Sequence, residues 1–323
     1  MRKAVKIWLI VAASLVLLGI IILGGAMAVS KLDLFSFTTR KYETNTYDEI
    51  SEDFNSVSIN TDTADIVFVA SDDEKCKIVC YEEEKAKHSV TVSDGKLSVD
   101  MVSTKKWYDH INIGWSGNPM ITVYLPKNDN ISLSLKNSTG RIELPSDIAF
   151  ESIDISGSTG DVICRSSADG MIKIKRSTGD ILLENISSGA LDLWVSTGDV
   201  KVTSVNCAGD VKLRTSTGYV KLDGLDCKNL FSECSTGDII LKSVVASERF
   251  DITTDTGTVT FERSDANEIS VKTDTGKVTG TLLSDKVFFT KTDTGDIEVP
   301  KTTSGGKCDI ETDTGNIKIS IVK

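Results

Sequence analysis

Asp251-Ile-Thr-Thr-Asp-Thr-Gly-Thr-Val-Thr-Phe261, Ser270-Val-Lys-Thr-Asp-Thr-Gly-Lys-Val-Thr-Gly280 and Asp309-Ile-Glu-Thr-Asp-Thr-Gly-Asn-Ile-Lys-Ile319 are three versions of one phrase. Its central Thr-Gly pair recurs ten times, with glycines at Gly140, Gly160, Gly179, Gly198, Gly218, Gly237, Gly257, Gly276, Gly295 and Gly315, at an interval that never varies by more than one position. A period held this tightly is the signature of a solenoid or array rather than of several globular domains. Aligned on the glycine, the position seven residues before it is apolar in all ten copies, from Leu133 to Cys308. The position two residues after it is Val or Ile in all ten, from Ile142 to Ile317. Four residues before it the slot is polar in nine, Trp194 being the exception.

This alternation is the period-2 pattern of a strand with one face inward and one in water. The inward phase falls on odd offsets before the glycine and even offsets after it, so the phase slips by one at Thr-Gly. That slip marks a corner, where glycine accepts a positive φ. Each repeat therefore reads as strand, corner, strand and a variable return. Stacking like residues at like phase predicts an all-β, single-stranded parallel β-solenoid (a β-helix) with 19–20-residue rungs about 4.8 Å apart, its corners lined by a ladder of threonines. An antiparallel meander with Thr-Gly at the hairpin tips is the alternative, but hairpins do not require one residue at every tip. An earlier copy is Thr61-Asp62-Thr63-Ala64-Asp65-Ile66, where Ala64 stands in the glycine slot at a distance from Gly140 that reads as four periods.

The expected organisation is a basic tip over residues 1–6, a transmembrane helix over 7–29, a linker over 30–41, a degenerate membrane-proximal stretch of the solenoid over 42–135, and the regular (S/D)TG solenoid over 136–323. Ile7 to Val29 are 23 consecutive uncharged positions, enough as a helix to cross a bilayer. Arg2, Lys3 and Lys6 precede them, a bias that keeps the N-terminus in the cytoplasm and places the C-terminal part outside the cell membrane. The competing reading is a signal peptide cleaved after Ala28, at Ala26-Met27-Ala28; 23 apolar residues exceed the usual h-region.

The chain has 323 residues, 40% hydrophobic and 26% charged, which excludes wholesale disorder. Its 36 cations face 47 acids, a net charge of −11. Setting aside the three N-terminal cations leaves −14 on the exported part. Nucleic acid is excluded as a partner, since phosphate binding needs clustered cations. Seven cysteines with no CxxC pair signal neither a disulfide framework nor a zinc site. Cys164, Cys234 and Cys308 read as small core fillers, while Cys207 and Cys227, one repeat apart, could close a bridge or remain thiols.

Ile121-Thr-Val-Tyr-Leu-Pro126, followed by Ser-Thr-Gly-Arg-Ile and the run of (S/D)TGD(I/V) repeats, resembles the bacterial adhesin-like β-strand-repeat family DUF4097 over roughly residues 42–323. The resemblance implies an anchored or exported β-solenoid, in some cases encoded beside envelope-stress regulators. It brings no catalytic residues.

Asp-Thr-Gly at Asp255, Asp274, Asp293 and Asp313 is also the active-site triplet of aspartic proteases, which need two carboxylates sharing a proton. Serine fills the same slot in the earlier copies, from Ser138 to Ser235, so the residue is structural. The four aspartates are candidates for calcium, as like charges stacked one rung apart repel unless solvated or bridged; solvated corner carboxylates are the plainer reading. Lys105 to Trp115 gathers Trp107, Tyr108 and Trp115, either a hydrophobic lid over the first rungs or a surface for sugar rings or a partner protein. Trp194, on an outward phase, is a second contact candidate. His88 and His110 lack metal-ligand spacing, no other metal set is signalled, and Glu82-Glu83-Glu84 reads as a solvated turn. No phosphate loop, HExxH or nucleophile elbow is present. The expected function is therefore non-enzymatic and cofactor-free: a membrane-anchored extracytoplasmic solenoid for adhesion or protein contact, whose partner is an envelope protein or polysaccharide. An accessory or sensor of an envelope-stress system is the alternative, and an enzyme acting on cell-wall polysaccharide the third. The strand Ile317–Val322 reads as an uncovered edge, which predicts end-to-end dimers or a covering loop.

Overall fold

The computed structural model describes residues 3–30, 41–50, 53–71, 75–106, 117–127 and 131–322. They fall into two compact units, one from the described residues within 1–42, 83–86 and 103–117, the other from those within 43–82, 87–102 and 118–323. The first carries helix α1 (Lys3–Ser30), within which Val5–Gly25 is long and apolar enough to cross a membrane.

The second unit is a parallel β-solenoid. Its early strands are β1 (Tyr42–Ile50), β2 (Ser56–Thr63), β3 (Asp65–Ala70), β4 (Cys76–Glu83), β5 (Ala86–Ser93), β6 (Lys96–Ser103) and β7 (Met120–Leu125). The regular stack runs through β8 (Ser132–Thr139), β9 (Ile142–Leu144), β10 (Ser152–Thr159), β11 (Val162–Cys164), β12 (Ala168–Thr178), β13 (Ile181–Thr197), β14 (Val200–Cys207), β15 (Asp210–Thr217), β16 (Val220–Thr236) and β17 (Ile239–Thr256). It ends in β18 (Val259–Thr275), β19 (Val278–Leu282), β20 (Lys286–Thr294), β21 (Ile297–Glu298), β22 (Gly306–Thr314) and β23 (Ile317–Ile321). Like residues stack in register, as in Leu191↔Val211 and Val200↔Val220. The inward phase is the one read from the sequence: Val211, Leu213, Val220 and Leu222 are at most 1% exposed. Each such side chain contributes roughly 1.5–3 kcal/mol on burial.

Three features differ from the sequence reading. The variable return is largely strand, bent six residues after the glycine, where Asn185, Ser204, Gly224, Ser243 and Arg263 adopt φ of 55°, 54°, 71°, 51° and 49°. This second corner was hidden because four of its five residues are not glycine. The span between Ala64 and Gly140 is not four rungs: β2 pairs directly with β8 (Thr63↔Thr139), and β3 with β9. β6 and β7 cover the other edge of β2 and β3, and β4 runs antiparallel to β7. At the far end β22 lies between β18 and β20, and β23 between β19 and β21. The strand expected to be an open edge is thus paired on both sides. The terminal rung is β20–β21, where Phe289 and Ile297 are 53% and 45% exposed.

Candidate functional site

The Thr-Gly corners are held by contacts that leave the outer faces of the rungs free. A Cβ on Gly160, Gly198 or Gly237 would sit 2.2, 2.1 or 1.9 Å from the carbonyl oxygen of the preceding rung's glycine. Inward side chains three residues before the glycine reach the same carbonyls: Thr215 Oγ1 donates to Gly198 O at 3.2 Å, Thr273 to Gly257 O at 3.3 Å and Thr312 to Gly276 O at 3.0 Å. Just after the glycine, Asp161 and Asp180 Oδ1 accept the backbone N–H of Asp180 and Asp199, at 2.9 and 2.8 Å. The Thr preceding each glycine, expected to form the ladder, is exposed; the inward Thr and the following Asp tie the rungs instead. In one rung the inward residue is Arg176, wholly buried, donating to Asn137 O and Gly140 O at 3.1 Å each. Gly157 makes its passage, since a Cβ there would lie 2.0 Å from Arg176 Nη1. Burial lowers the guanidinium pKa to about 10, and Asp161 opposes the shift.

On the outward face four residues before the glycine, Lys175, Trp194 and Arg214 stand in register on successive rungs. Lys175 Nζ lies 3.9 Å from the centroid of the half-buried Trp194 ring, a cation–π contact. Arg214 faces Asp192 at 3.8 Å and Glu233 at 3.4 Å. Lys173, Lys175, Asp192, Trp194 and Arg214 line a groove of about 270 Å³. The groove thus sets an aromatic plane among cations, with Lys175 over the ring and Arg214 shared with Asp192 and Glu233.

Trp107, Tyr108 and Trp115 lie outside the described residues. Asp255, Asp274, Asp293 and Asp313 are exposed at their corners, and the interleaving of the last rungs puts the Asp313 corner between those of Asp274 and Asp293. Among the described residues, the one group of three potential ligands with donor atoms within 4.8 Å of one another is Cys80, Glu82 and His88, so the aspartates do not assemble such a set. Glu82 and Glu83 are buried, at 1% and 7% exposure, in place of the expected solvated turn. The missed signal was phase: Glu82 continues the inward positions of Cys76, Ile78 and Cys80.

All seven cysteines are buried free thiols, Cys207 and Cys227 included. Desolvation pushes Cys164 and Cys308 up to about 12. A second cavity, of about 440 Å³, lies beside Lys286. That lysine is 2% exposed and committed to Asp265 at 2.6 Å and Ser284 at 2.5 Å.

Among solved structures, the chain is similar to a protein called a putative adhesin from Bacteroides fragilis, with 16% identity over 87% of this chain and 98% of that one at a TM-score of 0.42. A so-called putative lipid binding protein from Parabacteroides distasonis matches with 16% identity over 76% and 97% at 0.48. A further adhesin-named protein, from Parabacteroides merdae, matches with 13% identity over 76% and 98% at 0.47. No curated protein sequence matches. The Toastrack DUF4097 family model matches residues 54–214 and 206–323. Spanning both ends of the regular stack and its degenerate start, that match places the chain in the Toastrack DUF4097 family.

Proposed function

We propose that the protein is a non-enzymatic, membrane-anchored contact protein whose solenoid presents the Trp194 groove to an acidic polysaccharide outside the cell. The observation that carries this reading is the register of Lys175, Trp194 and Arg214 on one solvent-facing stripe. Aromatic rings stack on sugar faces and the cations pair with carboxylates or phosphates. The apolar span Val5–Gly25 and the cations Arg2, Lys3 and Lys6 support anchoring with the N-terminus inside.

Binding of the full-length chain to an immobilised uronic-acid polysaccharide, with a neutral glucan as control, tests the reading. The expected outcome is selective, salt-sensitive binding that Trp194→Ala weakens at least tenfold while leaving the melting temperature within a few degrees. Equal binding by wild type and variant removes the groove from the reading. Crosslinking in intact cells that captures only a membrane-embedded regulatory protein replaces adhesion with the sensor role.

A further inference from the structure

The start of the solenoid departs from the apolar filling of the regular rungs. Cys80 and Glu82 on β4 and His88 on β5 point inward, 0%, 1% and 4% exposed. Glu82 Oε2 lies 2.6 Å from His88 Nδ1 and accepts the His88 backbone N–H at 2.7 Å. Its other oxygen accepts from Asn45 Nδ2, on β1, at 2.6 Å. His88 Nε2 lies 2.9 Å from Thr61 Oγ1, on β2. Tyr47 hydroxyl donates to the His88 carbonyl at 2.5 Å. Four strands thus hold one carboxylate and one imidazole in fixed orientation beside a thiol.

Burying a carboxylate and an imidazole carries a desolvation cost that an apolar pair of similar volume avoids. The polar partners do more than satisfy leftover valences. Each occupies the ligand's far atom, as the outer hydrogen bonds of a metal site do: Asn45 on the second carboxylate oxygen and Thr61 on the second imidazole nitrogen. Thiolate, imidazole and carboxylate together are a zinc donor set.

We propose that Cys80 Sγ, Glu82 Oε2 and His88 Nδ1 bind one Zn²⁺ ion in the solenoid's first rungs. Binding is an exchange. The Cys80 thiol releases its proton to solvent, the Nδ1···Oε2 contact parts to admit the ion, and the imidazole carries its one proton on Nε2, where Thr61 Oγ1 accepts the hydrogen bond. Thiolate and carboxylate then balance the dication. The ion joins β4 to β5 and, through Asn45 and Thr61, to β1 and β2, strands that are far apart in the chain.

The full-length chain, purified in detergent and stripped with a chelator, is loaded with zinc chloride or with cobalt(II) and dialysed. One zinc retained per chain, and thiolate-to-cobalt charge-transfer absorption in the cobalt form, are expected. Cys80→Ala abolishes that absorption and weakens zinc retention more than a hundredfold; Thr61→Val weakens it about ten- to a hundredfold. Substoichiometric zinc, a cobalt spectrum without the thiolate band, or the band persisting in Cys80→Ala through the other six cysteines overturns the site. The unsubstituted chain decides the matter even where a variant does not fold.

Discussion

At the corners, a Cβ on glycine meets a carbonyl oxygen rather than open space. Gly237 combines φ of 145° with a virtual Cβ 1.9 Å from Gly218 O. Gly237→Ala must therefore open the stack locally and adopt a backbone that alanine resists; a loss of roughly 3 kcal/mol is expected from urea unfolding. A loss below about 0.5 kcal/mol would mean the corner relaxes freely. The conformational half of this demand was legible in the sequence, because the phase slip at Thr-Gly is a property of one strand. The steric half was not, because the carbonyl belongs to a residue one full period away. The same holds for Asp161 and Asp180, which look like solvent-facing charges until the next rung's amide is placed against them. Glu82 and His88 were missed for a related reason: six residues apart across a hairpin, they have no spacing that marks a ligand pair, and only strand phase betrays them.

Among the elements, β23 and β21 invert the expectation drawn from chain order. β23 has hydrogen-bonding neighbours on both edges, β19 along five residues and β21 along two. β21, two residues long, has β23 on one side, and the rung it shares with β20 exposes Phe289 and Ile297. Hydrogen exchange read by mass spectrometry should accordingly protect Ile317–Ile321 more strongly than Ile297–Glu298. Equal or reversed protection would contradict the interleaved order. The sequence carried no warning of this arrangement, as the glycine interval runs on unchanged through both rungs. A repeat specifies which faces match, and any two copies match equally well; the loop over residues 299–305 decides which copy a rung meets. Self-association through the solenoid's end is expected at the outer edge of β20, which is paired with β22 on its other side.

For the whole molecule, nearest-neighbour stacking makes stability close to a sum over rungs and their interfaces. Removing Asp199–Gly218, one full period, joins Gly198 to Tyr219 and brings β13 against β16 with every inward position still inward. The shortened chain should keep its β-sheet circular dichroism, with a smaller urea m-value in proportion to the surface lost. Deleting half a period instead rotates half a rung out of phase and should abolish the fold. A full-period deletion that fails to fold would mean that rungs are not interchangeable and that the Arg176 corner or the late interleaved rungs act across more than their neighbours.

Interleaving also sets a timetable. A stack built in order of synthesis could add each rung to the one before it as the chain emerges, but β20–β21 find their place only on β22–β23, which follow them. β18–β19 must wait with an open edge while one rung passes by, so the final stretch of the solenoid closes as a single late event rather than by steady growth. Its rate depends on how quickly the 299–305 connection carries β22 back across the gap, and until then the exposed edge and Phe289 are available to any neighbouring chain in the same state.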